Sequence, residues 1–175
     1  MTAPAPAYTT RTVTGERDLA ACFQLRKDVF VHEQNVPEEL EYDVYDAEAV
    51  HVMAVAADGT TLGTGRLLHG PAAVAHTGAD RTVGSLGRLA VGKEARGLGV
   101  GAALVRAIED AARDHGLAAV DLHAQTHALR FYERLGYEPY GPEFMDAGIP
   151  HRAMRRTICR PAAPLTRAGG GHMAG

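Results

Sequence analysis

The stretch that decides the fold reads GRLAVGKEARGLGVGAALVRAIEDAARDHG and spans residues 87–116. It opens with the apolar run 89–91, which predicts a strand, and then places three glycines close together at Gly97, Gly99 and Gly101. The apolar residues that follow recur at the i, i+3, i+4, i+7 spacing of one helix face: Val100, Ala103, Leu104, Ala107, Ile108 and Ala111. The segment therefore predicts a strand, a glycine loop and a helix of about four turns, ending near Gly116.

The start of this helix suits an anion. The first backbone N–H groups of a helix have no partner within it and carry about half a positive charge. Glycine lets a phosphate approach the backbone, and it permits the positive φ angles that turn N–H groups toward a ligand. Arg96 adds guanidinium donors beside the loop. The loop is therefore predicted to hold a phosphate or pyrophosphate; the alternative is an ordinary helix start with flexible glycines.

Two better-known phosphate loops fit this stretch less well. Residues 87–94 approach the pattern G-x-x-x-x-G-K, but Glu94 stands where a Ser or Thr should hold magnesium, which excludes a P-loop. Residues 97–102 satisfy G-x-G-x-x-A, and Asp121 follows at the spacing of a dinucleotide-binding fold. That fold remains the weaker alternative, because residues 92–96 separate the loop from its strand and no further βαβ units surround it.

Length, charge and cysteine content limit the class of protein. The 175 residues suit one domain, and a formal net charge of −3 with scattered basic residues argues against a nucleic-acid partner. No apolar run has membrane length, and residues 1–8 lack the apolar core of a signal peptide. Cys22 and Cys159 are too few for a disulfide framework. We expect a cytoplasmic protein without membrane partners; its oligomeric state is open, a homodimer included.

The remaining chain predicts an α/β domain over residues 9–160, with disordered tails at 1–8 and 161–175. Alternating or apolar runs predict strands at 8–14, 51–57, 61–68, 85–91, 118–124, 138–144 and 152–158. Helical periodicity predicts two helices besides the central one, at 16–31 and from Thr126 to Gly136.

Two segments between these elements are predicted to be irregular. Residues 70–84 are polar and rich in Gly and Ala, which favours an exposed loop. The acidic run 38–46 favours a solvated loop with about the same weight as a pocket for a cationic acceptor, lined by Tyr42 and Tyr45.

Two motifs resemble the GNAT superfamily of N-acetyltransferases. Residues 96–101, RGLGVG, match its R/Q-x-x-G-x-G/A signature, in the strand–loop–helix context that the family uses to hold the pyrophosphate of acetyl-CoA. Residues 125–137, QTHALRFYERLGY, resemble its second CoA-contacting motif, N-x-x-A-x-x-F-Y-x-x-x-G-F, with Gln for Asn and Tyr for Phe. Narrower blocks at 26–37, 124–127 and 148–154 are similar to the ElaA-like branch.

The resemblance implies a single mixed, mostly antiparallel sheet with a splayed central strand pair and flanking helices. It implies acetyl-CoA as co-substrate, and a primary amine, on a small molecule or a peptide, that attacks the thioester directly. Backbone groups of strand 89–91 would pair with the pantetheine arm, and an N–H of Val91 or Leu89 would stabilise the oxyanion. The cofactor-binding residues implied are Leu89, Ala90, Val91, Arg96, Gly97, Leu98, Gly99, Val100, Gly101, Gln125, Ala128 and Phe131.

Tyr132 matches the tyrosine that often acts as general acid toward the departing thiolate in this family. A phenol near pKa 10 and a thiol near 8.5 differ by about 2 kcal/mol against full transfer, so Tyr132 would donate late or only hydrogen-bond to the sulfur. The alternative is that Tyr132 is one more apolar residue of its helix.

The general base has four candidates in the sequence: Glu33, Glu41, His123 and His151. Glu33 and His151 are favoured, as base or for orienting the acceptor, because they belong to the ElaA-like blocks. Arg88 stands near the strand position where some relatives place a carboxylate base, and a guanidinium cannot serve. No metal site is expected, since nothing in the spacing of the nine histidines gives a ligand pattern.

Two other functions remain open at this point. The residues Arg26, Phe30, Glu41, Asp43 and Asp46 resemble those of acyl-homoserine-lactone synthases, which share the fold, although this chain lacks their tryptophan. Alternatively, the fold binds acyl-CoA without turnover, as a sensor. Release of free CoA in the presence of amines separates an enzyme from a sensor.

Overall fold

The computed structural model describes residues 7–158. Its seven-stranded sheet has the order β1-β2-β3-β4-β5-β7-β6. The strands are β1 (Tyr8–Thr12), β2 (Val50–Ala56), β3 (Thr61–Leu68), β4 (Val83–Val91), β5 (Ala119–Gln125), β6 (Glu138–Asp146) and β7 (Ile149–Thr157). All neighbours are antiparallel except β4 and β5, which are parallel. The predicted mixed, mostly antiparallel sheet is confirmed, and this sheet is unlike the parallel sheet of a dinucleotide-binding fold.

Helices cover both faces of the sheet. They are α1 (Glu16–Arg26), α2 (Glu38–Glu41), α3 (Pro71–Thr77), α4 (Val100–Asp114) and α5 (Leu129–Arg134). A Cβ added to Gly63 of β3 would lie 2.7 Å from Leu104 of α4, so glycine lets α4 approach this face closely. Thr64, the next residue along the strand, faces the other side and meets Cys22 of α1.

The two central strands separate halfway along their length. Pairing between β4 and β5 covers only Val83–Leu86 and Ala119–Leu122, whereas both strands continue beyond it. Arg88 adopts φ 51°, and the register between β3 and β4 shifts at the same place, so a bulge bends β4 away from β5. The predicted splayed pair is confirmed, and residues 87–91 are left unpaired on the β5 side.

The first predicted helix changes form near its end. The α-helical part, α1, ends at Arg26, and the chain continues as a π-helix over Lys27–Glu33. A π-helical turn is wider than an α-helical one and often occurs at functional sites. Here it places Val29, Phe30 and Glu33 along the cleft between the parted strands.

The acidic run 38–46 is solvated only in part: Glu38 and Glu39 are exposed, as the predicted loop requires, whereas Glu41 and Asp46 are buried. Arg26, which is 1% exposed, donates to Glu41 at 2.5 Å and to Asp46 at 2.7 Å. Arg66 donates to Asp43 at 2.7 Å and to Asp46 at 2.9 Å. Burial alone would raise the pKa of Asp46, but its hydrogen bonds to these arginines outweigh burial and lower it to about 2. Arginines distant in sequence thus neutralise the inward-facing carboxylates of the run, those of Glu41, Asp43 and Asp46.

The predicted loop at 70–84 is wrong, because it contains helix α3. Pro71 occupies the first position of this helix, where its missing N–H costs nothing, and Gly78 ends it at φ 64°. Ala72 and Ala73 are buried against Leu68. Small side chains, which suggested a loop, let this short helix pack closely.

Most of both predicted tails lies outside the described residues. Tyr8 is an exception, because it is the first residue of β1 and its hydroxyl donates to the Leu98 carbonyl at 3.3 Å. Cys159 also lies outside. In residues 7–158, no helix is long and apolar enough to cross a membrane.

Candidate active site

A cleft of about 830 Å³ lies where β4 and β5 part. It brings together every cofactor-binding residue predicted from the sequence except Leu98, which is 50% exposed and outside the lining. The lining residues from that set are Leu89, Ala90, Val91, Arg96, Gly97, Gly99, Val100, Gly101, Gln125, Ala128 and Phe131. The candidate acid and all four candidate bases line the same cleft: Tyr132, Glu33, Glu41, His123 and His151.

The glycine loop leaves its amides without partners. Gly97 and Gly99 adopt φ angles of 83° and 79°, which side chains rarely tolerate. The first helical hydrogen bond of α4 runs from Ala103 N–H to the Gly99 carbonyl at 3.1 Å, and no side chain caps the helix. Within the described chain, the N–H groups of residues 97–102 make no hydrogen bond. They form a row of donors at the positive end of the helix, as an anion site requires.

Gly101 has a different role from its two neighbours. It lies inside α4 without a positive φ, and a Cβ there would lie 3.2 Å from the ring of Phe131. Glycine at this position therefore lets Phe131 pack against the first turn of α4. The two sequence motifs, one on each side of this contact, meet here in space.

Arg96 links the end of β4 to the π-helix. Its Nε donates to the Val91 carbonyl at 3.2 Å, and its Nη2 donates to Glu33 at 2.7 Å. The side chains of Arg96 and Glu33 are 45% and 36% exposed, so their pair is a weak surface ion pair. Glu33, a candidate base in the sequence, is thus occupied by the arginine of the glycine loop.

The backbone of Val91 is directed into the cleft. Gly92 N–H donates to the Leu62 carbonyl of β3 at 2.8 Å. Because neighbouring residues of a strand direct their backbone groups to opposite sides, the N–H and C=O of Val91 point away from β3, toward the gap. The contact from Arg96 to the Val91 carbonyl agrees with this direction. Val91 N–H is therefore available to a ligand oxygen.

Tyr132 lies on α5 with its ring almost fully buried. The ring contacts Phe131 and Tyr137 edge to face, with centroids 4.9 and 6.0 Å away. Burial raises the pKa of Tyr132 well above that of a free phenol, so the hydroxyl keeps its proton. That hydroxyl has no hydrogen-bond partner among residues 7–158, and Tyr132 is part of the cleft lining. Tyr132 is therefore a proton donor without a competing acceptor.

Gln125 connects the end of β5 to the segment after the π-helix. Its Nε2 donates to Oε1 of Gln34 at 2.9 Å. Gln34 also lines the cleft, although the sequence analysis did not single it out as a site residue. The only feature of the sequence that could have indicated a role for Gln34 is its position in the ElaA-like block 26–37.

Four histidines among the described residues line the cleft. Three of them lie near one another: His76 on α3, His123 on β5 and His151 on β7. The ring of Phe144 lies 5.1 Å from His123, edge to face, and 5.9 Å from His151, stacked. Nδ1 of His151 lies 2.7 Å from the Ile149 carbonyl, which orients that ring. His76 was not predicted as a site residue, because the composition of 70–84 favours a loop.

Glu41, one of the four bases predicted from the sequence, is unsuited to that role. Its carboxylate is 1% exposed and bound to Arg26, so losing that charge partner would be costly. The predicted acceptor pocket on the acidic run is wrong as well. Tyr42 and Tyr45 lie outside the cleft lining, and the Tyr42 hydroxyl donates to the Phe23 carbonyl at 3.0 Å.

No cluster of three or more His, Cys, Asp or Glu side chains in the described part of the chain could hold a metal ion.

Comparisons with known proteins identify the family. Residues 5–158 match the acetyltransferase (GNAT) domain model. The uncharacterised N-acetyltransferase YjcF of Bacillus subtilis is 38% identical over 81% of this chain and 94% of its own. An acyl-CoA N-acyltransferase from Pseudomonas aeruginosa is 34% identical, with TM-score 0.71 over 86% of this chain and 98% of that one.

Escherichia coli ElaA superposes with TM-score 0.71 at 27% identity, covering 85% of this chain and 97% of that one, in agreement with the resemblance in the sequence. A CoA-dependent acyl-homoserine lactone synthase reaches TM-score 0.72 over 87% of this chain and 84% of its own, but at 21% identity it shares the fold alone. The chain therefore belongs to the GNAT acetyltransferase family.

Proposed function

We propose that this protein is an acetyl-CoA-dependent N-acetyltransferase that moves an acetyl group to a primary amine by direct attack. One observation carries the proposal: a row of unpaired helix-start amides lies beside a gap between two strands, in the same cleft as a protonated tyrosine. The amides would hold a diphosphate, the gap between the strands would hold an extended arm, and the tyrosine would lie near a thioester at the end of that arm.

The residues present fit acetyl-CoA. The N–H groups of residues 97–102 would hold the diphosphate, with Arg96 exchanging its weak pair with Glu33 for a phosphate oxygen. The free edge of residues 89–91 would pair with the amides of the pantetheine arm. Gln125, Ala128 and Phe131 would line its other side, as the second motif of the family implies.

The protein would contribute to the reaction in three ways: it would stabilise the oxyanion, assist the leaving thiolate and orient the acceptor. Bound acetyl-CoA supplies a thioester carbonyl that a neutral amine can attack. Val91 N–H is directed toward the gap, where it would stabilise the oxyanion. Tyr132 would donate its proton, or a hydrogen bond, to the thiolate as the C–S bond breaks. Glu33 and His151 would orient the acceptor, because both border the cleft and already have partners of their own.

The acceptor we propose is a small molecule or a peptide carrying a primary amine, and the proposed location is the cytoplasm. A sensor that binds acyl-CoA without turnover is the second candidate, since the same cradle would serve it. The charged residues shared with lactone synthases do not require that function, because Arg26, Glu41 and Asp46 form a buried network of ion pairs with one another.

Acetyl-CoA should raise the thermal midpoint of the protein. At a hundredfold excess over Kd, binding to the folded state adds about 2.7 kcal/mol, which corresponds to a rise of about 5 to 10 °C for a chain of this size. Differential scanning fluorimetry would measure the shift, with NAD as the control ligand. Stabilisation by NAD but not by acetyl-CoA would contradict the proposal. Stabilisation without CoA release, across a panel of primary amines, would favour the sensor.

A further inference from the structure

His123 occupies the first position of β5 that faces the cleft after the strands part. Pairing of β5 with β4 ends at Leu122, and His123 follows directly. Were the pairing to continue, Gly87 of β4 would stand beside His123, but Gly87 has no side chain and no atom lies within 4 Å of a Cβ built there. The imidazole therefore borders open space at the point where the sheet opens.

A buried carboxylate oxygen without a partner lies near this imidazole. Oδ2 of Asp121 accepts hydrogen bonds from Arg155 and Tyr140. Oδ1 of the same side chain, which is 1% exposed, has no partner within residues 7–158. It lies 4.0 Å from Nε2 of His123, too far for a hydrogen bond but close enough to attract a proton on the ring. Tyr140 and Arg155 hold this carboxylate in place.

The surroundings of His123 keep its ring neutral in the resting protein. Burial lowers the pKa of His123, and the attraction of Asp121 does not offset burial. The other groups that face it are His76 on α3, Asp146 on β6 and His151 on β7. A neutral imidazole can accept a proton, and the unpaired oxygen of Asp121 would then stabilise the imidazolium.

We propose that His123 is the general base of the reaction and that Asp121 positions it. This inference rests on the acetyltransferase function proposed above. The ring proton sits on Nε2, facing Asp121, and Nδ1 takes a proton from the amine as nitrogen bonds to the acetyl carbon. The C–S bond breaks and Tyr132 donates its proton to the thiolate. The proton on His123 leaves to solvent through the open cleft, and the Tyr132 phenolate takes one proton back from solvent, so both groups return to their starting forms. Among the four bases predicted from the sequence, only His123 has one ring nitrogen free of partners within the described chain and the other 4.0 Å from a carboxylate oxygen, that of Asp121.

The test is the pH dependence of kcat for His123→Gln. The assay measures CoA release with acetyl-CoA and whichever of spermidine, glucosamine, ethanolamine or a lysine peptide the wild type acetylates fastest. We expect kcat to fall about 10²-fold or more, while the affinity for acetyl-CoA stays nearly unchanged. The acidic limb of the pH profile, where kcat falls as the pH decreases, should disappear. In the wild type, this limb should lie below the ordinary histidine pKa, since burial lowers that of His123.

Companion variants separate this role from a structural one. Asp121→Asn should move the limb to still lower pH, because the attraction that favours the imidazolium is lost. His115→Gln, a matched change outside the cleft, should keep the whole profile. An acidic limb that persists in His123→Gln, or that disappears in His151→Gln or Glu33→Gln instead, would overturn the proposal. If the wild type acetylates none of these amines, the proposed function itself fails.

A second measurement tests the position of His123 without any acceptor. Diethylpyrocarbonate acylates neutral, accessible imidazoles, and mass spectrometry locates the modified residue. Acetyl-CoA should protect His123 strongly while leaving His115 equally reactive with and without ligand. Equal labelling of His123 in both states, under conditions where acetyl-CoA binds, would place this imidazole away from the acyl group and refute its role as base.

Discussion

Replacing Tyr132 with Phe should lower kcat about 10²-fold while leaving the affinity for acetyl-CoA nearly unchanged. The substitution removes one hydroxyl, which has no hydrogen-bond partner among the described residues, so the free protein loses no contact. Burial raises the pKa of Tyr132, which makes full proton transfer to sulfur less favourable than for a free phenol. We therefore expect the low end of the range for general acids, because the hydroxyl acts largely by hydrogen-bonding to the developing thiolate.

The measurement is steady-state CoA release together with the Kd of acetyl-CoA from calorimetry. Tyr137→Phe provides the matched control, since Tyr137 is also buried but donates to Glu109 at 3.2 Å and lies outside the cleft lining. It should lower stability and keep kcat. Full activity of Tyr132→Phe, or an equal loss in Tyr137→Phe, would refute the assigned role.

Replacing Arg26 with Ala should have the largest effect on stability. Arg26 is 1% exposed and is the shared partner of Glu41 and Asp46. Its removal leaves two buried carboxylates short of a cation, and breaking such a pair from one side costs about 3 to 5 kcal/mol. For a chain of this size the thermal midpoint should fall by about 6 to 20 °C, as differential scanning calorimetry would show.

Lys27→Ala is the control for this prediction. Lys27 follows Arg26 and also pairs with a carboxylate, that of Glu38 at 3.0 Å, but both side chains are substantially exposed. Surface pairs contribute little, so the midpoint should barely change. Equal, small effects of the two substitutions would mean that the buried network contributes no more than a surface ion pair.

Features encoded locally were predictable from the sequence. The strand, glycine loop and helix at 87–116 follow from periodicity and backbone freedom within one segment, and the structure places them as expected. The parting of β4 from β5 was available only through the family resemblance. Nothing in the local pattern of 83–91 shows that its pairing ends at Leu86.

Features that depend on partners distant in the chain could not be predicted. Two carboxylates of the acidic run, Glu41 and Asp46, are buried because arginines on other elements pair with them, whereas the local composition of the run alone favours solvent. Similarly, Gly101 is required by the ring of Phe131, thirty positions away, and not by its own φ angle. The position of the Asp121 carboxylate near His123 depends on Tyr140 and Arg155, which donate hydrogen bonds to it from other elements.

The central claim is that the amides opening α4 hold the diphosphate of CoA beside the parted strands. The most direct test follows backbone amide resonances by NMR during titration with CoA and with pantetheine, which lacks the diphosphate. CoA should shift the N–H signals of residues 97–102 and of 89–91, whereas pantetheine should shift only those of 89–91. Unchanged signals at 97–102 while CoA binds, or equal shifts there with pantetheine, would contradict the account.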